Sequence, residues 1–369
     1  MIQIVPRCNV AVKVLLLEMS TLASTTVLVT GGSGYIGSYV ILALLSQGYT
    51  VRTTVRSLSR EASTRTALSN GGATASDLAR LSFVAASLEH DEGWAEALKG
   101  CTYVQHVASP APAELPKHED DLIIPARDGT LRVLKNAAAA GVKRVVLTSS
   151  SGAIEYGHPP QKQHFTEEDW TILDGTRKVA PYLKSKTLAE RAAWDFMASS
   201  KATSKMELVA INPVFVFGPV LGADFSGSVE VIKKLMDGSL PGCPDLFFDI
   251  VDVRDVASLH VLAMTKTEVA GQRYFAANSD QVTSMVQLGQ IIRANRPKDA
   301  KKVPTIQIPN FLVHALSFFD KAVRVILPDL GQVRKASNKK ACEAFGWQPR
   351  GTQESVLDTA DSLVKHKII

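Results

Sequence analysis

Residues 27–37 read Val-Leu-Val-Thr-Gly-Gly-Ser-Gly-Tyr-Ile-Gly, a short apolar run that leads directly into a glycine-rich stretch. A continuous apolar run of this length is typical of a strand buried on both faces of a parallel sheet. The ten residues that follow Gly37 have the pattern of a helix. A tight turn between strand and helix needs glycine for positive φ and for close approach to a pyrophosphate. We therefore predict a dinucleotide site at Gly31, Gly34 and Gly37.

Further strands and helices alternate along the chain after this turn. The predicted strands are residues 50–56, 81–85, 103–107, 144–148 and 208–212, and the clearest helices are residues 125–140, which begin at Pro125, and 181–199. Such alternation predicts an α/β fold with a doubly wound parallel sheet. We expect residues 247–251 to add one more strand to that sheet.

The regular alternation ends near Phe215, and many prolines interrupt the rest of the chain. We therefore predict an N-terminal extension over 1–24, a dinucleotide-binding Rossmann domain over 25–215 with a return strand near 245–262, and a smaller, mostly substrate-binding lobe over 216–369. The apolar run at 10–17 is shorter than the roughly 18 to 20 residues that span a bilayer.

Composition excludes several classes of protein. The net charge of +5 comes from 41 basic and 36 acidic residues spread along a chain of 369 residues. So small and dispersed a charge does not favour a nucleic-acid partner. The four cysteines have no metal-ligand spacing, so we expect no metal and reduced thiols in the cytoplasm. The expected partner is a small molecule, with no membrane association, and the expected assembly is a monomer or homodimer.

The end of the second strand indicates which dinucleotide is bound. NAD-binding proteins usually carry Asp or Glu there, whereas this chain reads Arg52-Thr53-Thr54-Val55-Arg56. A guanidinium can bind a 2′-phosphate through two hydrogen bonds, whereas a carboxylate would repel that phosphate. We predict NADP(H) with Arg56 as the phosphate ligand, and Arg52, an even number of residues away, as a second candidate on the same side.

Tyr182 and Lys186 lie four residues apart in the predicted helix 181–199, so they share one face, while Lys184 points elsewhere. An ammonium beside a phenol favours the phenolate, which suits the phenol to proton transfer. The serines at 149–151 follow the strand 144–148, and ligands of doubly wound sheets bind beyond the carboxyl ends of strands. A serine hydroxyl there could stabilise charge on a carbonyl oxygen.

Taken together, these motifs resemble the extended short-chain dehydrogenases/reductases, and especially the dihydroflavonol reductase-like branch with its NADPH-dependent aldehyde and carbonyl reductases. The matching stretches occur in the family's order and are residues 29–38, 51–56, 106–110, 147–150, 182–190 and 212–219. The resemblance extends from about Thr25 to the C-terminus.

The resemblance implies a role for each matching position. It assigns catalysis to Ser150, Tyr182 and Lys186, with Lys186 also bonding the nicotinamide ribose. The residues implied to contact the cofactor are Gly31, Gly34, Tyr35, Ile36, Gly37, Arg56, Ser87, Leu88, Val107, Ala108, Ser109, Tyr182, Lys186, Pro213 and Val216.

Two positions depart from the family's pattern. The family usually has Asp-Leu after the third strand, where this chain has Ser87-Leu88, so the adenine contact is weakened or passes to the serine hydroxyl. Plant flavonoid reductases carry asparagine five residues after the catalytic serine, and this chain has Glu155. We therefore expect a substrate other than a dihydroflavonol, contacted by Glu155 and Phe215.

The leading hypothesis is reduction of an aldehyde or ketone to an alcohol, with Tyr182 as proton donor. An NAD-dependent sugar-nucleotide epimerase or dehydratase is the first alternative, which Arg56 disfavours. A non-catalytic dinucleotide sensor is the second alternative, which the Tyr182 and Lys186 pair disfavours.

Overall fold

The computed structural model describes residues 22–110, 118–199, 205–278 and 280–369. Residues 1–21, most of the predicted N-terminal extension, lie outside this part of the chain. None of the helices in the described ranges is both long and apolar enough to cross a membrane.

A seven-stranded parallel sheet forms the centre of the molecule. Its strands are β1 (Thr26–Thr30), β2 (Thr50–Val55), β3 (Leu81–Ala85), β4 (Tyr103–His106), β5 (Arg144–Thr148), β7 (Glu207–Pro213) and β11 (Arg273–Ala276). They run in the order β11-β7-β5-β4-β1-β2-β3, and every neighbouring pair is parallel. The order reverses between β1 and β4, and this reversal is the point where ligands bind in doubly wound sheets. The predicted fold class is confirmed.

The remaining strands are short and lie outside this sheet. They are β6 (His164–Phe165), β8 (Phe215–Phe217), β9 (Phe247–Phe248), β10 (Ile250–Asp252), β12 (Thr283–Ser284) and β13 (Lys335–Ala336). They form three two-stranded ladders: β8 with β10, β9 with β12, and β6 with β13. These ladders tie the C-terminal part of the chain to the loops above the main sheet.

Thirteen helices with described bounds accompany the strands. They are α1 (Tyr35–Ser46), α2 (Glu61–Asn70), α3 (Ala75–Leu78), α4 (Trp94–Leu98), α5 (Asp120–Ala139), α6 (Pro181–Ser199), α7 (Gly227–Asp237), α8 (Val253–Thr265), α9 (Met285–Asn295), α10 (Asn310–Leu316), α11 (Lys321–Ile326), α12 (Lys339–Phe345) and α13 (Thr352–Lys365). The predicted start of α5 at Pro125 is wrong, because Pro125 lies inside a helix that begins at Asp120. Pro125 has no amide hydrogen to donate to the carbonyl of Asp121, so the helix lacks that one hydrogen bond and still extends on both sides of it.

Each face of the main sheet is covered by its own apolar cluster. Val27 and Val29 pack into one cluster, while Leu28 between them packs into the other. This alternation follows from the two-residue period of a strand and explains why β1 is apolar throughout. Helices α1 and α8 pack together on one side, and α5 and α6 pack together on the other.

The seventh strand of the sheet comes from an unexpected part of the chain. We predicted that residues 247–251 return to the main sheet, but β9 pairs antiparallel with β12, and β10 pairs with β8. The position beside β7 is taken instead by β11. A short apolar run predicts a buried strand but does not specify the sheet that it joins. The predicted domain boundary at residue 215 stays a prediction.

Candidate active site

The glycine-rich turn lies between β1 and α1 and is held by its own backbone. The amide of Gly34 donates to the carbonyl of Gly31 at 2.9 Å, and the amide of Gly31 donates to Thr54 Oγ1 at 3.2 Å. Gly34 caps α1 without a side-chain hydrogen bond. The first amides of α1 therefore face the turn at the positive end of the helix dipole, an arrangement that suits an anion.

Two of the glycines in the turn cannot be replaced by a residue with a side chain without strain or a steric clash. Gly31 has φ of +70°, and a Cβ there would lie 3.0 Å from the Cβ of Ala108. A Cβ on Gly37 would lie 2.4 Å from the carbonyl oxygen of Gly31. The turn thus forms a cradle of backbone packed so closely on itself and on Ala108 that it requires glycine at both positions, and this bare backbone fits a pyrophosphate.

The side chain of Tyr35 points away from this cradle. It is buried, and its hydroxyl donates to the carbonyl of Gly218 at 2.7 Å, so its backbone is what faces the turn. Ile36 is half-buried beside it.

The two arginines of the second strand have different surroundings. Arg56 lies just past the end of β2, is exposed, and takes part in none of the described ion pairs. The guanidinium of Arg52 instead donates to the carbonyls of Glu96, Ala97 and Lys99 at the end of α4. The prediction that Arg52 is a second phosphate ligand is therefore wrong. Even spacing places two residues on one side only within a strand, and β2 ends before Arg56.

A polar chain connects the ends of β1 and β4. Thr30 Oγ1 accepts from the amide of Ala108 at 3.0 Å and lies 2.8 Å from Nδ1 of His106. Burial, together with the positive charge of Lys186, lowers the pKa of His106 to about 3. Nε2 of His106 is buried without a hydrogen-bond partner among the described residues. The end of β4 thus presents a neutral imidazole beneath the site.

Tyr182 and Lys186 share one face of α6, as predicted. The Lys186 ammonium lies 6.0 Å from the centre of the Tyr182 ring. Lys186 is only 8% exposed, whereas Tyr182 is 48% exposed and open to a ligand. Lys184 points away and pairs with Glu119 at 2.7 Å. Lys186 also lines a small cavity with Ala108, Ser109, Thr148, Ser149 and Glu190, among others.

The three serines after β5 have different roles in the structure. Ser150 Oγ accepts from the amide of Gly152 at 3.0 Å, and none of the described hydrogen bonds uses its own hydrogen. Ser151 is buried and begins a short 3-10 turn. That turn packs on α6, where a Cβ on Gly152 would lie 2.7 Å from Leu183 Cδ2. Ser150 is thus the serine of the three whose hydroxyl can donate to a ligand.

Glu190, which sequence reasoning missed, supports this turn from below. Its carboxylate is fully buried and accepts from Ser149 Oγ, from Asn212 Nδ2 and from Arg273 Nε. Asn212 Nδ2 also donates to the carbonyl of Ser150 at 3.1 Å. A buried carboxylate with several donors fixes the geometry around it. The sequence signal was a glutamate four residues after Lys186, on the same helix face.

Other predicted cofactor residues lie at the loop ends around the sheet. Ser87 Oγ accepts from the amide of Glu89 at 3.2 Å, and Leu88 packs against Gly129 of α5. Val107 and Ser109 are half-buried beside Ala108. The remaining two, Pro213 and Val216, are buried at the end of β7 and in β8. These placements are compatible with the predicted roles, which stay predictions.

The two predicted substrate residues have different surroundings. Phe215 is half-buried and packs edge-on against Phe248, with ring centres 4.9 Å apart. Glu155 is buried, and its Oε1 has no hydrogen-bond partner in the described part of the chain. Burial, together with the nearby negative charge of Asp249, raises the pKa of Glu155 to about 8. Burial also raises the pKa of Asp249 to about 7. Glu155 is therefore largely protonated at neutral pH.

Comparison with known proteins agrees with this geometry. A sequence model of the NAD dependent epimerase/dehydratase family matches residues 27–277, from β1 through β11. The chain belongs to this family. Within it, the chain is 34% identical over 345 residues to a cinnamoyl-CoA reductase of Medicago truncatula, covering 92% of the chain and 96% of the relative. It is also 34% identical over 261 residues to the dihydroflavonol 4-reductase of Zea mays, covering 69% of the chain and 70% of the relative.

A solved structure extends the likeness over the whole described fold. Yeast methylglyoxal/isovaleraldehyde reductase Gre2, solved in complex with NADPH, matches with a TM-score of 0.75 at 26% identity. The match covers 93% of this chain and 99% of that one. The predicted membership in the extended short-chain dehydrogenases/reductases is confirmed. Within the described ranges, no three His, Cys, Asp or Glu side chains are grouped as metal ligands.

Proposed function

We propose that this protein is an NADPH-dependent reductase that converts an aldehyde or ketone to an alcohol. The observation that carries the proposal is the pair formed by exposed Tyr182 and buried Lys186 on α6, beside a serine with a free hydroxyl hydrogen. The curated relatives named above are reductases, and Gre2 was solved with NADPH. Both facts support the proposal.

The cofactor site would bind NADPH through the backbone of the glycine-rich turn and through charged side chains. The cradle at Gly31 and Gly37 fits the pyrophosphate, and the exposed guanidinium of Arg56 suits a 2′-phosphate. Buried Lys186, beside Ala108 and Ser109 in one small cavity, can bond the ribose hydroxyls on the nicotinamide side. When bound, NADPH supplies the hydride that the carbonyl carbon accepts.

The protein's own residues would then manage the carbonyl oxygen. Ser150 donates its free hydroxyl hydrogen to that oxygen and stabilises the negative charge that develops there. Tyr182 transfers its phenolic proton to the same oxygen, so the product is a neutral alcohol. The Lys186 ammonium, on the same helix face, stabilises the phenolate that Tyr182 becomes. Tyr182 regains its proton from solvent, which its exposure permits.

The test removes the proton donor and keeps its ring. We expect Tyr182→Phe to lower kcat for carbonyl reduction at least ~100-fold, the usual minimum for a positioned acid. NADPH binding, followed by the fluorescence of the reduced nicotinamide, should change little. Lys184→Ala is the control, because Lys184 is a neighbouring lysine that points to Glu119, and it should keep near-normal turnover. Unchanged turnover in Tyr182→Phe would refute the mechanism.

Substrate, assembly and location are narrower parts of the proposal. Phe215 and Glu155 would contact the substrate, with the protonated carboxyl of Glu155 as a hydrogen-bond donor. We also propose a cytoplasmic monomer or homodimer, and the free buried thiols of Cys101 and Cys243 suit a reducing compartment. A screen of NADPH oxidation across aromatic aldehydes, ketoesters and diketones, with NADH in parallel, tests substrate and cofactor together.

A further inference from the structure

A second arginine lies close to the phosphate cradle. Arg60 ends a short 3-10 turn (Leu58–Arg60) that Ser57 caps directly after Arg56. Arg60 and Ser33, a residue of the glycine-rich turn, line the same cavity of about 520 Å³. Arg60 therefore faces the same space as the glycine-rich turn and lies four residues after Arg56.

Arg60 already has a partner, and that partner belongs to another part of the chain. Its Nη2 pairs with Asp224 Oδ2, in the segment that connects β8 to α7. The two side chains are 42% and 59% exposed, so water and ions reach both. An exposed ion pair of this kind contributes little stability and is easily exchanged for another partner.

Hydrogen bonds fix the start of the connecting segment, and few hydrogen bonds follow. Gly218 and Pro219 accept from the hydroxyls of Tyr35 and Tyr39, and Leu221 accepts from Asn70 Nδ2. For residues 222–225, the ion pair of Asp224 with Arg60 is the only hydrogen bond described. Phe225 packs against the apolar cluster that contains Val27 and Val29, so the contact with Arg60 bears on the exposed residues Ala223 and Asp224 before it.

We propose that Asp224 is a tether which the 2′-phosphate of NADP(H) displaces from Arg60, so that Asp224 tunes the preference between NADP(H) and NAD(H). This inference rests on the NADP(H) dependence proposed above. A 2′-phosphate carries between one and two negative charges near neutral pH and binds a guanidinium through two hydrogen bonds. It therefore competes well with one exposed carboxylate. NAD(H) has no such group and leaves the tether in place.

The first test measures cofactor affinity in Asp224→Asn. Removing one negative charge several ångströms from the phosphate should lower the Kd for NADPH about 3- to 10-fold. The Kd for NADH should change less than about twofold. Asp299→Asn removes the same charge from an exposed position elsewhere and should change neither value. In the Arg60→Gln background, Asp224→Asn should lose most of its effect, because the competition no longer exists.

The second test follows the segment itself by hydrogen exchange. Saturation with NADP⁺ should speed amide exchange in residues 222–226, and saturation with NAD⁺ should not. Weaker NADPH binding in Asp224→Asn, or an equal change for both cofactors, would overturn the tether. Equal protection of residues 222–226 by both cofactors would also overturn it. If the unaltered protein binds NADH more tightly than NADPH, the proposed NADP(H) dependence is refuted instead. This preference is measured first, on the unaltered protein, so the two failures can be told apart.

Discussion

The buried carboxylate of Glu190 gives the sharpest prediction about how the site is held together. Glu190→Gln keeps the size of the side chain but replaces one acceptor oxygen with a donor. The carboxylate receives hydrogen bonds from Ser149, Asn212, Trp194 and Arg273, so the new amide must point at another donor. The charge of Arg273, whose side chain is only 9% exposed, also loses its counterion.

The size of the effect follows from this burial. Breaking a buried ion pair by removing one partner costs about 3 to 5 kcal/mol. Arg273 keeps two carbonyl partners, at Glu167 and Asp169, and lies against the Trp170 ring at 3.7 Å. We therefore expect a loss near the lower end, about 3 kcal/mol, which lowers Tm by about 5 to 10 °C. Because Asn212 also holds the carbonyl of Ser150, kcat should fall as well.

Calorimetry and urea unfolding measure this loss directly. The matched control is Glu207→Gln, in which the glutamate also pairs with a buried arginine, Arg144. The Glu207 side chain is 46% exposed, and Arg144 keeps the carbonyls of Ala263, Met264 and Lys266. That variant should lose no more than about 1 kcal/mol. If Glu190→Gln proves as stable as the control, the carboxylate does not organise the site.

Two further variants test the cradle and the buried acid. Gly37→Ala places a Cβ 2.4 Å from the carbonyl of Gly31, so it should weaken NADPH binding at least ~10-fold in fluorescence titration. Gly227→Ala is the control, because Gly227 has open space around it, and this variant should bind NADPH normally. Equal NADPH binding by the two variants would contradict the role of the cradle. The pKa of Glu155 is about 8 in the folded protein and has its ordinary value of 4.5 in the unfolded chain. Between these two values the folded protein keeps the proton and the unfolded chain loses it. Glu155 therefore makes the stability of the protein fall as the pH rises from about 5 to 8. In urea unfolding, the free energy of unfolding of Glu155→Gln should therefore rise relative to that of the unaltered protein by up to about 1.4 kcal/mol per pH unit across that range. A difference between the two proteins that stays constant with pH would show that Glu155 is ionised throughout.

Local sequence patterns predicted much of the fold because they reflect local physics. The strands at 81–85 and 144–148 and the helix at 181–199 have the bounds that were predicted. Each is set by its own apolar period and by the breaks in that period at its ends. The glycine turn and the Tyr182 and Lys186 pair are local in the same sense, since their geometry depends on only a few residues.

What sequence reasoning missed depends on contacts between distant residues. Arg273 reaches Glu190 across 83 positions, and no local pattern indicates such a pair. The guanidinium of Arg52 was placed by strand alternation, but the carbonyls at the end of α4 decided its direction. In both cases a polar group buried by tertiary packing took the partner that lay nearest in space.

The late arrival of β11 in the central sheet limits how this enzyme can be recombined. A chimera that joins residues 1–215 to the rest of a relative would separate Glu190 from its own Arg273 and β7 from its own neighbouring strand. A junction after Ala277 keeps both together. Chimeras with relatives should therefore fold better with a junction after Ala277 than with one after Phe215. During synthesis, too, the chain must be made through β11 before Arg273 can pair with Glu190 on α6.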